Sequence, residues 1–287
     1  MRARRSVGVP ALTVHGQRRM LLERIWLAAH GAAWFPGWAF FQCAAIVAGG
    51  WLVTRAGRQH LLPYAVGVSA AIAGAIALGC GDAWLIHAVH AVRGARGAMP
   101  DVEIAGFGAI GGLVAGHVAV ARIRRVPVAE ALDALGLAMG GMIALTRLGC
   151  FFAGCDFGRP SRVAWAMRYP AMTPAFRAQV DAGLLHEGAR WTLPVHPTQL
   201  YEVAVGLVVL GVALLLRAPK RAGDRFTVAA VVYAVGRLVV DVFRGDLPHG
   251  GVLGLTTTQG LALALAGLVV AWRASSPSRA SPVTTAG

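Results

Sequence analysis

Seven long stretches of this chain carry almost no charge, and that constrains the fold more than any other feature. A helix needs about 20 predominantly apolar residues to cross a bilayer. Trp34–Thr54, Leu62–Gly79 and Gly250–Trp272 are uncharged throughout, and the second runs on toward Trp84–His90. Ile104–Ala121 holds His117, and Ala134–Gly154 holds Arg147 near its end. Gln199–Leu216 holds Glu202 at its start, and Phe226–Phe243 holds Arg237 and Asp241. Backbone groups find no water in lipid, so these segments read as helices, not strands. Charged residues make up only 14% of the chain and hydrophobic ones 56%, against about 25% charged in a soluble domain. A wholly disordered chain is excluded, and the composition argues against an ordinary soluble enzyme.

The expected fold is an all-α membrane protein of seven transmembrane helices, with a small periplasmic head between spans four and five. Its units are a basic N-terminal segment (1–33), the seven-span domain (34–272) and a disordered cytoplasmic tail (273–287). The head, residues 155–198, is polar and holds Pro160, Pro170, Pro174, Pro194 and Pro197 with Trp165 and Trp191. The orientation comes from arginine in the short loops. One side collects Arg55, Arg58, Arg122, Arg124, Arg125, Arg217, Lys220, Arg221, Arg225, Arg273 and Arg279; the other holds Arg93, Arg96 and Arg244. The richer side is expected to be cytoplasmic. Residues 1–24 disagree, carrying six Arg on the other side. They form an interfacial basic segment, or the true start is Met20.

The net charge of +14 could suit nucleic acid. The basic residues instead sit between apolar blocks, which fits anionic lipid, and no nucleic-acid partner is expected. Four cysteines are too few for a disulfide scaffold. Gly108, Gly112 and Gly116, and then Gly136 and Gly140, recur at four-residue spacing, which fits close helix packing or backbone approach to a headgroup.

Three blocks carry chemistry. Thr146–Pro160 (TRLGCFFAGCDFGRP) holds Arg147, either snorkelling to headgroups or functional. With it come Gly149, Gly154 and Gly158 at a helix end and Arg159, together a candidate phosphate cradle. His196–Glu202 (HPTQLYE) enters the fifth span, with Thr198 as the expected N-cap. In the third block, Arg237 and Asp241 share a helix face four residues apart, and Arg244 follows. Arg147, Arg237 and Arg244 with Glu202 and Asp241 describe a site for an anionic headgroup.

These blocks, in this order, resemble those of prolipoprotein diacylglyceryl transferases over roughly residues 34–272. The resemblance implies transfer of a diacylglyceryl group from phosphatidylglycerol to the lipobox cysteine of a prolipoprotein, in the bacterial inner membrane, with no metal or organic cofactor. It implies that Arg147, Arg237 and Asp241 are catalytic, and that Gly158, Arg159, His196, Gln199, Tyr201, Glu202 and Arg244 bind substrate. The chain departs from the family pattern at several positions. Cys150 stands for Asn and Cys155 for Glu. Ile110 stands for a His, Pro36 for a Tyr, and Asp241 for Glu. His117 lies two turns from Ile110, about 10 Å along the axis. An inactive or repurposed lipid-binding relative is the alternative. A thiol-redox or metal-handling protein built on Cys150 and Cys155, as a disulfide or with Asp156 and the distant His196 as metal ligands, is another.

Overall fold

The computed structural model describes residues 37–93, 102–171, 173–216, 221–246 and 255–275, without the side chains of 78–93, 102–108 and 257. The basic segment with both candidate starts, Pro36, Arg96, the beginning of the seventh segment and residues 276–287 lie outside the described residues. So do the side chains of Cys80, Asp82, His87 and His90.

Eight α-helices are present among the described residues: α1 (Gly37–Ala56), α2 (Leu61–Arg93), α3 (Val102–Ile123), α4 (Val128–Ala153), α5 (Pro174–Asp181), α6 (Thr198–Leu215), α7 (Asp224–Asp241) and α8 (Thr257–Ser275). The helix α2 does run through Trp84–His90. The last helix continues through Ser275.

Four helical stretches among the described residues are long and apolar enough to cross a membrane: Gly37–Ala56, Arg58–Ala77, Val128–Ala153 and Thr198–Leu215. The α7 helix is less apolar because its 18 residues include Asp224, Arg225, Arg237 and Asp241. Large apolar side chains point outward on many helices, among them Val47 (72% exposed), Ile76 (60%) and Leu268 (66%). Such a surface is satisfied by lipid rather than water.

The α4 helix is the centre of the bundle, packing against α1, α6 and α7, while α2 and α3 pair along their length. Small residues make this possible. A Cβ on Gly140 would fall 2.3 Å from the Leu210 amide nitrogen, and one on Gly112 2.2 Å from the Ala70 carbonyl oxygen. The glycine stripes are thus spent on helix contact.

The beginning of α4 ties one end of the bundle together. Asp133 accepts from the amides of Gly223 (2.8 Å) and Phe226 (3.0 Å), capping the start of α7. Arg225 donates to the Leu216 carbonyl at the end of α6, and Arg273 pairs with Asp224 at 2.7 Å. The opposite end of α4 leads into the head. There Phe151, Phe157, Met167, Tyr169, Ala175 and Val195 form a second apolar cluster. Isolated bridges hold the head's extended segments: Pro160 with Val195, Met167 with Val195, and Pro170 with Trp191. Its one helix, α5, starts on Pro174, and the Thr173 hydroxyl caps it by accepting from the Phe176 amide.

Candidate functional site

Where α4, α6 and α7 reach the head, three arginines and four carboxylates meet. Glu202, on the second turn of α6 and 2% exposed, is the junction. One carboxylate oxygen meets Arg147 from α4, and the other meets Arg237 from α7. Arg244, just past α7, approaches the same carboxylate at 3.5 Å. Arg237 also holds Asp241 at 2.9 Å, one turn along its own helix, as the four-residue spacing requires. Asp241 in turn accepts from Thr258 (2.6 Å) and Thr256 (3.4 Å) at the start of α8. Charges this deep persist only when paired and hydrogen-bonded.

The cluster grades from a dry pole to an open rim. Asp241 is 0% and Arg237 7% exposed, whereas Arg147 (20%) and Asp156 (21%) face outward. Asp156 bridges the rim, meeting Arg147 at 2.5 Å and Arg244 at 3.2 Å. Burial alone would raise its pKa. The guanidiniums of Arg147 and Arg244 outweigh that and hold the carboxyl below the usual carboxylate range. Arg244 also takes Asp246 in a two-pronged pair, at 2.6 and 2.8 Å. Burial pushes the Asp246 carboxyl up, and Arg244 offsets part of that rise.

The turn between α4 and the head supports this rim. Gly154 closes α4 at φ +73°, a left-handed conformation that suits glycine. Asp156 follows at φ +54°. The second block fastens the turn to α6: Gln199 donates to the Cys155 carbonyl (2.5 Å) and Thr198 to the Asp156 carbonyl (2.6 Å). Thr198 is therefore the first helical residue, after Pro197 as N-cap, and not the cap expected from the sequence. Its hydroxyl serves the turn instead.

Gly158 is where the head and the end of α7 touch. It bridges Arg244, and a Cβ there would lie 2.5 Å from both the Cβ and the carbonyl oxygen of His196. The amides expected to cradle a phosphate are spent internally. Gly154 donates to Cys150, Gly158 to His196 and Arg159 to Phe243. Donors to an anion here would therefore have to be guanidiniums and not these amides. The Arg159 side chain is exposed and lies outside the ion-pair cluster. It faces His196, whose pKa is lowered by burial and then by that nearby charge.

Beside this rim, the Trp165 indole N–H donates to the Tyr201 hydroxyl at 2.7 Å, and that hydroxyl lies 3.0 Å from His196 Nδ1. Phe243 packs against both rings. Since the indole N–H can only donate, the Tyr201 proton is free for His196 Nδ1.

The structure thus brings together Arg147, Arg237, Asp241, Glu202 and Arg244, with Gln199 and Gly158 as supports and His196 and Tyr201 alongside. His117 is not at the site. It contacts the Ala131 carbonyl at 2.8 Å, sixteen residues before Arg147 on α4, about 24 Å away along the helix. Ile110 is 41% exposed. Sequence reasoning missed Asp246 and Trp165, and weighed Asp156 only as a metal ligand. The Cys150 and Cys155 sulfurs and an Asp156 oxygen do lie within 4.8 Å of one another, and both thiols are free. Both Asp156 oxygens already serve guanidiniums, so a cation there would have to break those pairs.

The sequence model of the prolipoprotein diacylglyceryl transferase family matches residues 31–273. The chain belongs to this family. Among curated relatives, the Clostridium tetani phosphatidylglycerol–prolipoprotein diacylglyceryl transferase is 26% identical over 162 residues, 55% of this chain and 59% of that protein. The Methylocella silvestris protein of the same name is 33% identical over 162 residues, 54% of this chain and 53% of that protein. The Tropheryma whipplei (strain Twist) protein of that name is 28% identical over 184 residues, 58% of this chain and 61% of that protein. The chain thus spans between about half and three fifths of the length of these relatives. The diacylglyceryl transferase family assignment covers all three arginines of the junction.

Proposed function

We propose that this protein transfers a diacylglyceryl group from phosphatidylglycerol to the cysteine thiol of a prolipoprotein lipobox. The observation that carries the reading is the convergence of Arg147, Arg237 and Arg244 on Glu202 at one end of the bundle. A phosphate diester needs fixed cationic donors, and arginine supplies them as a planar fork. The lipid phosphate meets the rim at Arg147, where Asp156 is its competitor, and Arg244 completes the cradle from within. The acceptor thiol gives up its proton, which balances on the departing glycerol phosphate, and its sulfur attacks the diacylglyceryl carbon bonded to a phosphate ester oxygen. That C–O bond breaks and glycerol phosphate leaves, its charge stabilised by guanidiniums already in place.

Arg147, Arg237 and Asp241 form the catalytic core in this reading, Arg237 and Asp241 by fixing the buried pole. Gly158, Gln199, Glu202 and Arg244 shape the phosphate side, while His196, Tyr201 and Arg159 border the acceptor. The domain spans the bacterial inner membrane seven times, with residues 155–198 facing the periplasm. Two features support that orientation. The arginine-rich loop ends gather at the start of α4, and the junction lies at its other end.

The test is direct. The full chain is incubated with phosphatidylglycerol vesicles and a lipobox peptide, and the peptide is weighed. A diacylglyceryl mass on its cysteine is the expected result. An unmodified peptide beside a working relative overturns the reading in favour of lipid binding without transfer.

A further inference from the structure

We infer that Cys150 and Cys155 are a dithiol that oxidises to an intramolecular disulfide, and that closing this bond draws Asp156 away from Arg147. The placement follows from how α4 ends. When a left-handed residue terminates a helix, the next residue folds back over the last turn. Here Gly154 is that residue, its N–H donating to the Cys150 carbonyl at 2.9 Å. Cys155 comes next, and its sulfur lies 3.8 Å from that same carbonyl. The pair occupies two positions that usually hold an apolar contact. Cys150 is 7% exposed and anchored in the helix, and Cys155 is half-buried and reachable from the rim.

The chemistry balances with a disulfide as oxidant. The Cys155 thiolate attacks one sulfur of the oxidant and releases the first thiol. The Cys150 thiolate then attacks the Cys155 sulfur and expels the second. Two protein S–H bonds become one S–S bond, and the oxidant's disulfide becomes two thiols. An extracytoplasmic compartment supplies such an oxidant. The closed loop is six residues, so the bond constrains the unfolded chain less than a long-range bridge would; its particular consequence is local.

That consequence falls on Asp156, the next residue, held at φ +54° by its ion pairs and by Thr198. Closing an S–S bond of about 2 Å consumes the Cys150 S–H that hydrogen-bonds the Asp156 carboxylate, and so removes one of the contacts holding Asp156 beside Arg147. Arg147 then loses its rim partner and stands open to a phosphate. This coupling rests on the proposed reading of the junction as the phosphate site.

The experiment uses the full chain in nanodiscs containing phosphatidylglycerol, after oxidised glutathione or after dithiothreitol, with alkylation and peptide mapping. The expected result is a Cys150–Cys155 cross-linked peptide, lighter by two hydrogens, on the oxidised sample. It should persist in a Cys43→Ser/Cys80→Ser variant and be lost in Cys155→Ser. A glutathione adduct on Cys155 alone, or both thiols alkylated after oxidation, overturns the pairing. The oxidised protein should bind a soluble phosphatidylglycerol analogue about tenfold more tightly than the reduced one. Equal affinity with the disulfide mapped overturns the coupling. Absence of binding in both states counts against the phosphate site itself, while the peptide map still decides the thiol pair.

Discussion

Replacing Glu202 with Gln removes the carboxylate that meets all three guanidiniums and keeps its shape. Breaking a buried ion pair by removing one partner costs about 3–5 kcal/mol, because the partner charge stays buried. Here each arginine keeps another carboxylate: Arg147 keeps Asp156, Arg237 keeps Asp241, and Arg244 keeps Asp156 and Asp246. The loss should therefore sit at the lower bound, about 3 kcal/mol. At about 2–4 °C per kcal/mol for chains of this size, the melting temperature should fall by about 6–12 °C. Tryptophan fluorescence during a thermal ramp in detergent reads this out. The internal comparison is Arg273→Gln, which breaks a pair whose side chains are 12% and 30% exposed. Such a pair contributes about 1 kcal/mol or less. A Glu202→Gln shift no larger than that of Arg273→Gln would refute the reasoning that the junction is a desolvated charge cluster.

Three further outcomes are expected. Gly158→Ala forces a methyl against His196, whose Cβ and carbonyl would lie 2.5 Å away; it should destabilise the protein by about 1–3 kcal/mol and cut transfer, seen by melting and peptide mass together. The Asp156 carboxylate is held below its ordinary range, so its ion pairs contribute stability fully above about pH 4. That contribution should disappear as the pH falls through the folded value, and Asp156→Asn should flatten the acid limb of a melting-versus-pH series. His196 is held below its ordinary value by burial and by Arg159, so Arg159→Ala should raise its titration midpoint in imidazole NMR. An unchanged midpoint would show that the Arg159 charge does not reach the ring.

Much of the site could be read from the sequence because its key spacings are local. Arg237 and Asp241 pair because they are four apart on one helix, and HPTQLYE opens a helix at a polar boundary. The four apolar helical stretches show in hydropathy for the same local reason. What escaped is long-range. Asp156 and Arg244 are 88 positions apart, and only the fold sets them 3.2 Å from each other. Trp165 looks like any head-domain aromatic until its indole meets Tyr201. Gly158 suggests a backbone anion cradle in sequence, yet its amide is already committed to His196, and close chain approach is what requires the glycine. Thr198 has the composition of an N-cap, but a carbonyl on a distant turn competes for its hydroxyl.

In the proposed reaction the arginine junction handles the lipid phosphate. The most direct measurement follows glycerol phosphate released from headgroup-labelled phosphatidylglycerol in the presence of lipobox peptide, comparing the native protein with Arg147→Ala. Arg147 is the most exposed of the three arginines, so its loss should leave the fold standing. The native protein should release one glycerol phosphate per modified peptide. Arg147→Ala should lower that rate at least about a hundredfold, equivalent to about 2.7 kcal/mol of transition-state stabilisation. Release by Arg147→Ala at the native rate would remove Arg147 from the phosphate site.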